Sequence, residues 1–216
     1  SVVLGTVRGS DRDAMGKEDT RAKLLKAGES AFWEKGFHDA GIQEILKAAG
    51  VPKGSFYYYF KSKEDFGIQV VEAYAQFYDE RIDPILADAT RSPLERLRAV
   101  FEFLIADFVE RGLRYGCLIG NLSQEMADRS DPFRECLDEI MASWHRSFTD
   151  CLLEARAAGE FSERWDAAKL ASFCLNGWEG AMLRAKIVKS AAPLEDFLEI
   201  MFEILRTDRP SAVATS

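Results

Sequence analysis

Apolar residues recur every three or four positions over almost the whole chain. That is the period of a helix with one buried face. Leu24, Gly28, Ala31 and Phe32 predict a first helix over about residues 20–35, stopped by Gly36. A short helix follows from Ile42 to Ala49 and closes at Gly50, and another starts near Pro52, a residue suited to a first helical turn. Ser62 with Glu64 and Asp65 opens a longer one bearing Phe66, Val70, Tyr74, Phe77 and Tyr78. Ser92-Pro93 opens the next, with Leu94, Leu97, Phe101, Leu104 and Phe108 inward. Gly112 and Gly116 bracket a break, after which Cys117 begins a short helix. Asp131-Pro132 opens a long helix that Gly159 ends, and Asp166 opens another. The cleanest stripes come last: Leu170, Phe173, Cys174, Gly177, Trp178 and Ala181, then Leu194, Phe197, Leu198, Met201, Phe202 and Leu205. No alternating apolar and polar run lies between hairpin turns, so no strand is expected. The fold class is all-α.

Composition narrows the class. The 216 residues are 47% hydrophobic, enough for a packed core. No apolar run approaches the ~18 residues of a membrane span, and Val2-Val3-Leu4 is too short for a signal-peptide core. Four cysteines without a CxxC pair make no disulfide framework, so a reducing cytoplasm is the expected compartment. His38 and His145 are the only histidines, which speaks against a His-based metal site or triad; no metal and no cofactor is expected. Nucleotide-binding and nucleophile-elbow signatures are missing, so the chain is not read as an enzyme.

The net charge of −8 argues at first against a nucleic-acid partner. Its distribution changes that. Residues 17–65 hold nine Lys/Arg and eight Asp/Glu, whereas residues 66–216 hold 17 and 26. The acidity therefore lies behind residue 65, and the segment before it is near neutral with its lysines gathered on one motif.

That motif is two short helices around a Gly-containing turn, the layout of a helix-turn-helix. Ile45, Val51, Phe56 and Phe60 give it an inner side. Lys53, Gly54, Ser55, Tyr57, Tyr58 and Tyr59 remain for an outer or partly exposed side, and suit phosphate and base-edge contacts. An aromatic cluster in a helical domain is otherwise core, and Tyr57 is the tyrosine for which that alternative is strongest. Over residues 20–66 the sequence resembles the TetR family of bacterial repressors. The resemblance is carried by Glu34-Lys35-Gly36-Phe37, by Ile45 through Val51, by Pro52-Lys53-Gly54-Ser55-Phe56-Tyr57-Tyr58-Tyr59-Phe60 and by Lys61-Ser62-Lys63-Glu64. It implies that the helix near Pro52–Phe60 enters the major groove. Gln43, Lys53, Gly54, Ser55, Tyr57, Tyr58 and Tyr59 then face DNA, and Lys63 clamps a phosphate. Two positions depart from the family pattern. Tyr59 stands where His is frequent, and Ala40-Gly41 stands where a capping Thr is frequent.

In TetR-like proteins the C-terminal body dimerises and holds a small ligand. The resemblance implies that the two terminal stripes pair with their mates through Leu170, Phe173, Gly177, Ala181, Leu194, Phe197, Leu198, Met201 and Phe202. Periodicity alone allows the alternative that they are core within the chain. The stretch Gly116 to Ala127, with Trp178 to Lys186, is similar to a narrower group, the NemR-like and AcuR-like repressors, which respond to reactive electrophiles or to acrylate-type molecules. From the residues themselves, Cys117 at a helix start has backbone N–H groups beside it, which lower a thiol pKa. Cys117 is therefore the candidate sensing thiol, with Lys186 as a weaker partner; inert packing is its bland alternative. Cys136, Cys151 and Cys174 read as core. Phe101, Tyr115, Trp144 and Trp178 are the candidate pocket residues, although large aromatics at helical spacing are also core residues.

The expected organisation is a disordered leader (1–18), a three-helix DNA-binding head (19–65), a larger helical effector-binding and dimerisation domain (66–208) and a flexible tail (209–216). The expected partners are double-stranded DNA with a pseudo-palindromic operator, a small-molecule effector and a second copy of the chain, with no membrane. The competing reading is a helical ligand-binding protein whose helix-turn-helix is vestigial.

Overall fold

A computed structural model describes residues 9–162 and 164–207. Its regular elements are α1 (Gly9–Asp39), α2 (Ile42–Ala49), a 3-10 turn over Lys53–Ser55, α3 (Phe56–Tyr59), α4 (Lys63–Leu86), α5 (Pro93–Glu110), α6 (Leu118–Met126), α7 (Asp131–Ala157), α8 (Ala167–Val188) and α9 (Ala192–Thr207). No strand occurs among the described residues. The leader expectation is corrected over residues 9–18, which belong to α1. Residues 1–8 and the tail 209–216 lie outside the described residues.

Helix starts follow the caps that the sequence offers. Ser62 accepts from Asp65 N, Ser92 forms a capping box with Glu95, and Asp166 accepts from Lys169 N. The start expected at Asp131-Pro132 is capped one residue earlier, by Ser130. Gly36 breaks the helical path inside α1 with φ 77° and ψ 175°. The amides that this break frees on Phe37 and His38 donate to the Glu125 carboxylate of α6, each at 2.8 Å. A side chain at Gly36 would meet that carboxylate at 2.6 Å.

Two hydrophobic cores form, and they do not divide at residue 65. The first joins Phe32, Phe37, Ile45, Phe56, Phe60 and Phe66 to Leu118, Ile119, Leu122, Phe133 and Leu137 from α6 and α7. The second joins α5, the later half of α7, α8 and α9 around Phe101, Phe108, Leu152, Trp178, Leu198 and Phe202. A helix of α4's length spans roughly 36 Å, so it runs through both. The head thus rests on α6 and the start of α7, where the sequence expectation placed a boundary.

The terminal stripes need a second correction. Leu170, Leu194, Leu198, Met201 and Phe202 are buried within the chain. A Cβ at Gly177 would come within 2.4 Å of Phe197, so this glycine seats α9 on α8. Ala181 is half-buried in the same core. Of the expected interface residues Phe173 alone is strongly exposed, at 57%. The exposed apolar face lies one step around each helix: Phe173, Leu183 and Ile187 on α8 with Ile200 and Ile204 on α9. Both faces share one period, which is why periodicity could not separate them.

Candidate nucleic-acid interface and cavity

The turn between α2 and the recognition segment is set by Gly50, whose φ of 67° lets its N–H reach Leu46 O and Lys47 O. Val51 N then donates to Leu46 O at 2.9 Å. Pro52 redirects the chain into the 3-10 turn and the single turn of α3. Phe56 and Phe60 anchor this segment: both are buried, with ring centroids 5.3 and 4.7 Å from Phe66.

With Phe56 and Phe60 inward, the residues between them turn outward. Tyr57 is 71% exposed and Tyr58 64%, whereas Tyr59 is half-buried against the first core. Of the three tyrosines, the one given the strongest core alternative is thus the most exposed. Gln43, Lys53 and Gly54 are exposed as well. Gln43 and Lys53 border one shallow groove with Lys47. Gly54 has no crowding neighbour, since an added Cβ would meet nothing within 4 Å, and its backbone is not left-handed. The fold gives no reason for a glycine there. Gly41, the N-cap of α2, makes no side-chain cap, as the sequence implied.

Lys63 makes a bond within the chain. Its Nζ donates to His38 O at 3.0 Å and lies 4.8 Å from the Phe37 ring centroid. Burial holds its pKa below the usual lysine value, against the raising effect of Glu125 and Asp39. It ties the start of α4 to the end of α1, a bond within the chain that sequence reasoning had no means to see.

A cavity of about 70 Å3 opens between α4, α5, α7 and α8, beside the N-terminus of α6. Phe101, Cys117, Trp144 and Trp178 line it, as expected. Tyr115 does not. Its backbone is left-handed, with φ 74°, and its ring stacks on Trp33 of α1 at 5.5 Å. Lys186 is also outside the lining, and its Nζ donates to Asn121 Oδ1 at 3.4 Å. Residues missed by sequence reasoning complete the wall, chiefly Tyr74, Tyr78, Asp79, Arg111 and Glu179. Trp144 Nε1 donates to Asp79 at 3.0 Å and Tyr78 donates to Asp107 at 2.8 Å.

Cys117 is the N-cap of α6, and its sulfur accepts from Gly120 N at 3.4 Å. The expected lowering of its pKa is reversed. Burial pushes the thiol well above its ordinary value and the nearby Glu179 carboxyl adds to this, together outweighing the backbone hydrogen bonds. Burial likewise raises Glu179, with the Cys117 hydrogen bond opposing. Gly120 makes this pairing possible, because a Cβ there would lie 2.3 Å from Glu179 Oε2. Burial also raises Cys151 to about 11 and Cys174 to about 12, in keeping with their reading as core.

Residues 24–68 match the family model for bacterial regulatory proteins of the tetR family, and residues 93–201 match that for the tetracyclin repressor-like C-terminal domain. The chain is 41% identical over 190 residues to the transcriptional regulator AcuR of Cereibacter sphaeroides, covering 88% of this chain and 87% of the relative. It is 37% identical over 191 residues to the transcriptional repressor DhaR of Mycobacterium sp. strain GP1, with coverages of 88% and 94%. The crystal structure of the reduced form of Escherichia coli NemR superposes with a TM-score of 0.82 at 32% identity, covering 90% of this chain and all of that one. With a helix-turn-helix head, a helical body and these matches over both, the chain belongs to the TetR family of bacterial transcriptional regulators.

Proposed function

We propose that the chain is a dimeric transcriptional repressor released from its operator by a small molecule that enters the α4–α8 cavity. The observation that carries the DNA-binding half is the pair Tyr57 and Tyr58, exposed beside Lys53 and a Gly54 that the fold does not require. Aromatics this exposed add little to the core. A glycine without crowding suits close approach of backbone to a ligand, and tyrosine hydroxyls suit phosphates and base edges. Gln43, Ser55 and Tyr59 complete the surface, and Lys63 supports it from behind through His38. The test is a gel shift on the DNA upstream of the gene at rising salt. A specific complex with a steep salt slope is expected. No specific complex on any upstream fragment would leave the vestigial reading.

The body supports a homodimer through the exposed stripe of Phe173, Leu183 and Ile187 with Ile200 and Ile204. Gly180 lies within that stripe, exposed and uncrowded. A mid-helix glycine costs about 1 kcal/mol against alanine, and close approach of a second helix accounts for it. Two heads then meet half-sites about one turn of DNA apart, ~34 Å. Signal passage has a physical route in α6. Its N-cap, Cys117, is on the cavity wall, and near its other end Glu125 holds the amides of Phe37 and His38 next to the helix-turn-helix.

Within this reading the surroundings of Cys117, which disfavour the thiolate, favour reversible occupancy of the cavity, and the covalent version needs that thiolate to form. Replacing Cys117 with Ser separates them. Unchanged release of DNA by an electrophile such as N-ethylmaleimide removes the covalent version, and loss of release establishes it.

A further inference from the structure

The cavity has room for roughly five water-sized groups, at ~10–15 Å3 each. Its wall is mainly apolar, through Phe101, Leu104, Phe148, Leu175, Trp178 and Met182. Most polar groups on it are already engaged. Trp144 donates to Asp79, Tyr78 donates to Asp107, and the Tyr74 hydroxyl accepts from Leu118 N at 3.4 Å. Arg111 uses Nη2 on the Asp107 carboxylate at 2.5 Å and Nε on the Asp107 carbonyl at 3.4 Å. Its Nη1 is buried and makes no hydrogen bond, while the guanidinium lies 4.9 Å from the Trp33 ring centroid. An unmade hydrogen bond at a buried cationic donor is costly, so an acceptor brought from outside the chain is favoured there.

The charge around that donor selects among acceptors. Asp107 already matches the Arg111 charge. The other ionisable groups of the wall include Asp79, Asp83 and Glu179, all acidic. A carboxylate entering the cavity meets like charges without an unmatched cation, whereas an uncharged oxygen acceptor meets no such opposition. Burial already raises the pKa values of Asp79 and Glu179, which shows how poorly this wall supports negative charge.

We propose that the cavity takes a small uncharged carbonyl compound, of roughly five non-hydrogen atoms, whose oxygen accepts from Arg111 Nη1 while its short apolar end lies among Phe101, Trp178 and Met182. This rests on reading the cavity as the effector site. It goes further by assigning the polar anchor to Arg111 and by setting uncharged carbonyls above carboxylates of the same size.

Propionamide and propionate are matched in size and differ in charge, and neither alkylates a thiol. Each is titrated into the full chain with ligand-observed NMR. Propionamide is expected to bind at least tenfold more tightly than propionate. Arg111→Lys keeps a cation opposite Asp107 but removes Nη1, and it is expected to weaken propionamide at least tenfold. Propionate binding as tightly as propionamide overturns the assignment, as does unchanged propionamide binding in a folded Arg111→Lys, or binding of neither compound. Should Arg111→Lys fail to fold, Glu179→Gln decides: it is expected to improve propionate at least threefold relative to propionamide, and no relative gain for propionate overturns the charge argument. A parallel gel shift keeps the two readings apart. Amide binding without release of DNA contradicts the effector reading alone, and release by propionate without amide binding contradicts this assignment alone.

Discussion

The recognition segment and the cavity wall use the same residue types in opposite ways. Around Phe56, aromatics alternate between burial and exposure within one helical turn, and Tyr57 and Tyr58 lie mostly outside the core, which Tyr57 meets through its ring contact with Phe56. At the cavity, the tyrosines, tryptophans and acids bind one another, through Tyr78 with Asp107, Trp144 with Asp79 and Cys117 with Glu179. A surface that serves a partner carries residues the fold has no use for. A pocket that serves a ligand is made of residues the fold also needs. Stability and function should therefore separate cleanly in the head and remain entangled in the body.

The largest expected effect tests the head's inner side. Phe56→Ala empties a fully buried site and should cost about 3–5 kcal/mol, with a Tm drop visible by calorimetry and loss of DNA binding as a consequence. Its neighbour Tyr57→Ala should leave Tm nearly unchanged while weakening operator DNA by about 1–3 kcal/mol in a binding titration. If Tyr57→Ala unfolds the head, the separation fails. Lys63→Ala sharpens the contrast with Lys53→Ala. Both should weaken DNA binding, but Lys63→Ala should also lower Tm, since its bond to His38 joins α4 to α1. The salt slope should fall by about one for Lys53→Ala only.

In the body, removing a buried acid from the cavity wall should raise stability. Glu179 is an acid whose folded-state pKa lies above its unfolded value. The folded chain then holds the proton more tightly, so this group's contribution worsens as pH rises from its unfolded value toward its folded one. Glu179→Gln should raise Tm at neutral pH by a few degrees and flatten its pH dependence above about 4.5. An unchanged pH profile would show the carboxyl to be unperturbed. The smallest effect belongs to Gly41→Ser, where a new cap should add a few tenths of a kcal/mol to head stability.

The all-helical fold, the turn at Gly50 and the caps at Ser62, Ser92 and Asp166 were legible in the sequence, because caps and periodicity are local signals. The outward set Gln43, Lys53 and Gly54 was legible through the family resemblance. The exposure of Tyr57 was legible less surely, because an aromatic cluster is core in most helical domains. What remained hidden depends on distant packing. The head shares its core with α6, the terminal stripes interlock within the chain, and Lys63 meets His38. Neither Arg111 nor Glu179 was singled out as a cavity residue, because no local spacing announces a cavity between four helices. The error over Cys117 was physical. Its helix-start position was right, but burial and the Glu179 carboxyl outweigh the amides there.

Gly54→Ala, measured for both Tm and operator affinity, bears most directly on the central claim. Nothing in the fold lies within 4 Å of the added methyl. An unchanged or slightly raised Tm is expected, with at least a tenfold loss of affinity for the upstream DNA. Full affinity at unchanged Tm would contradict it, because the surface read here as facing DNA would then tolerate a methyl group at the point where the backbone should approach most closely.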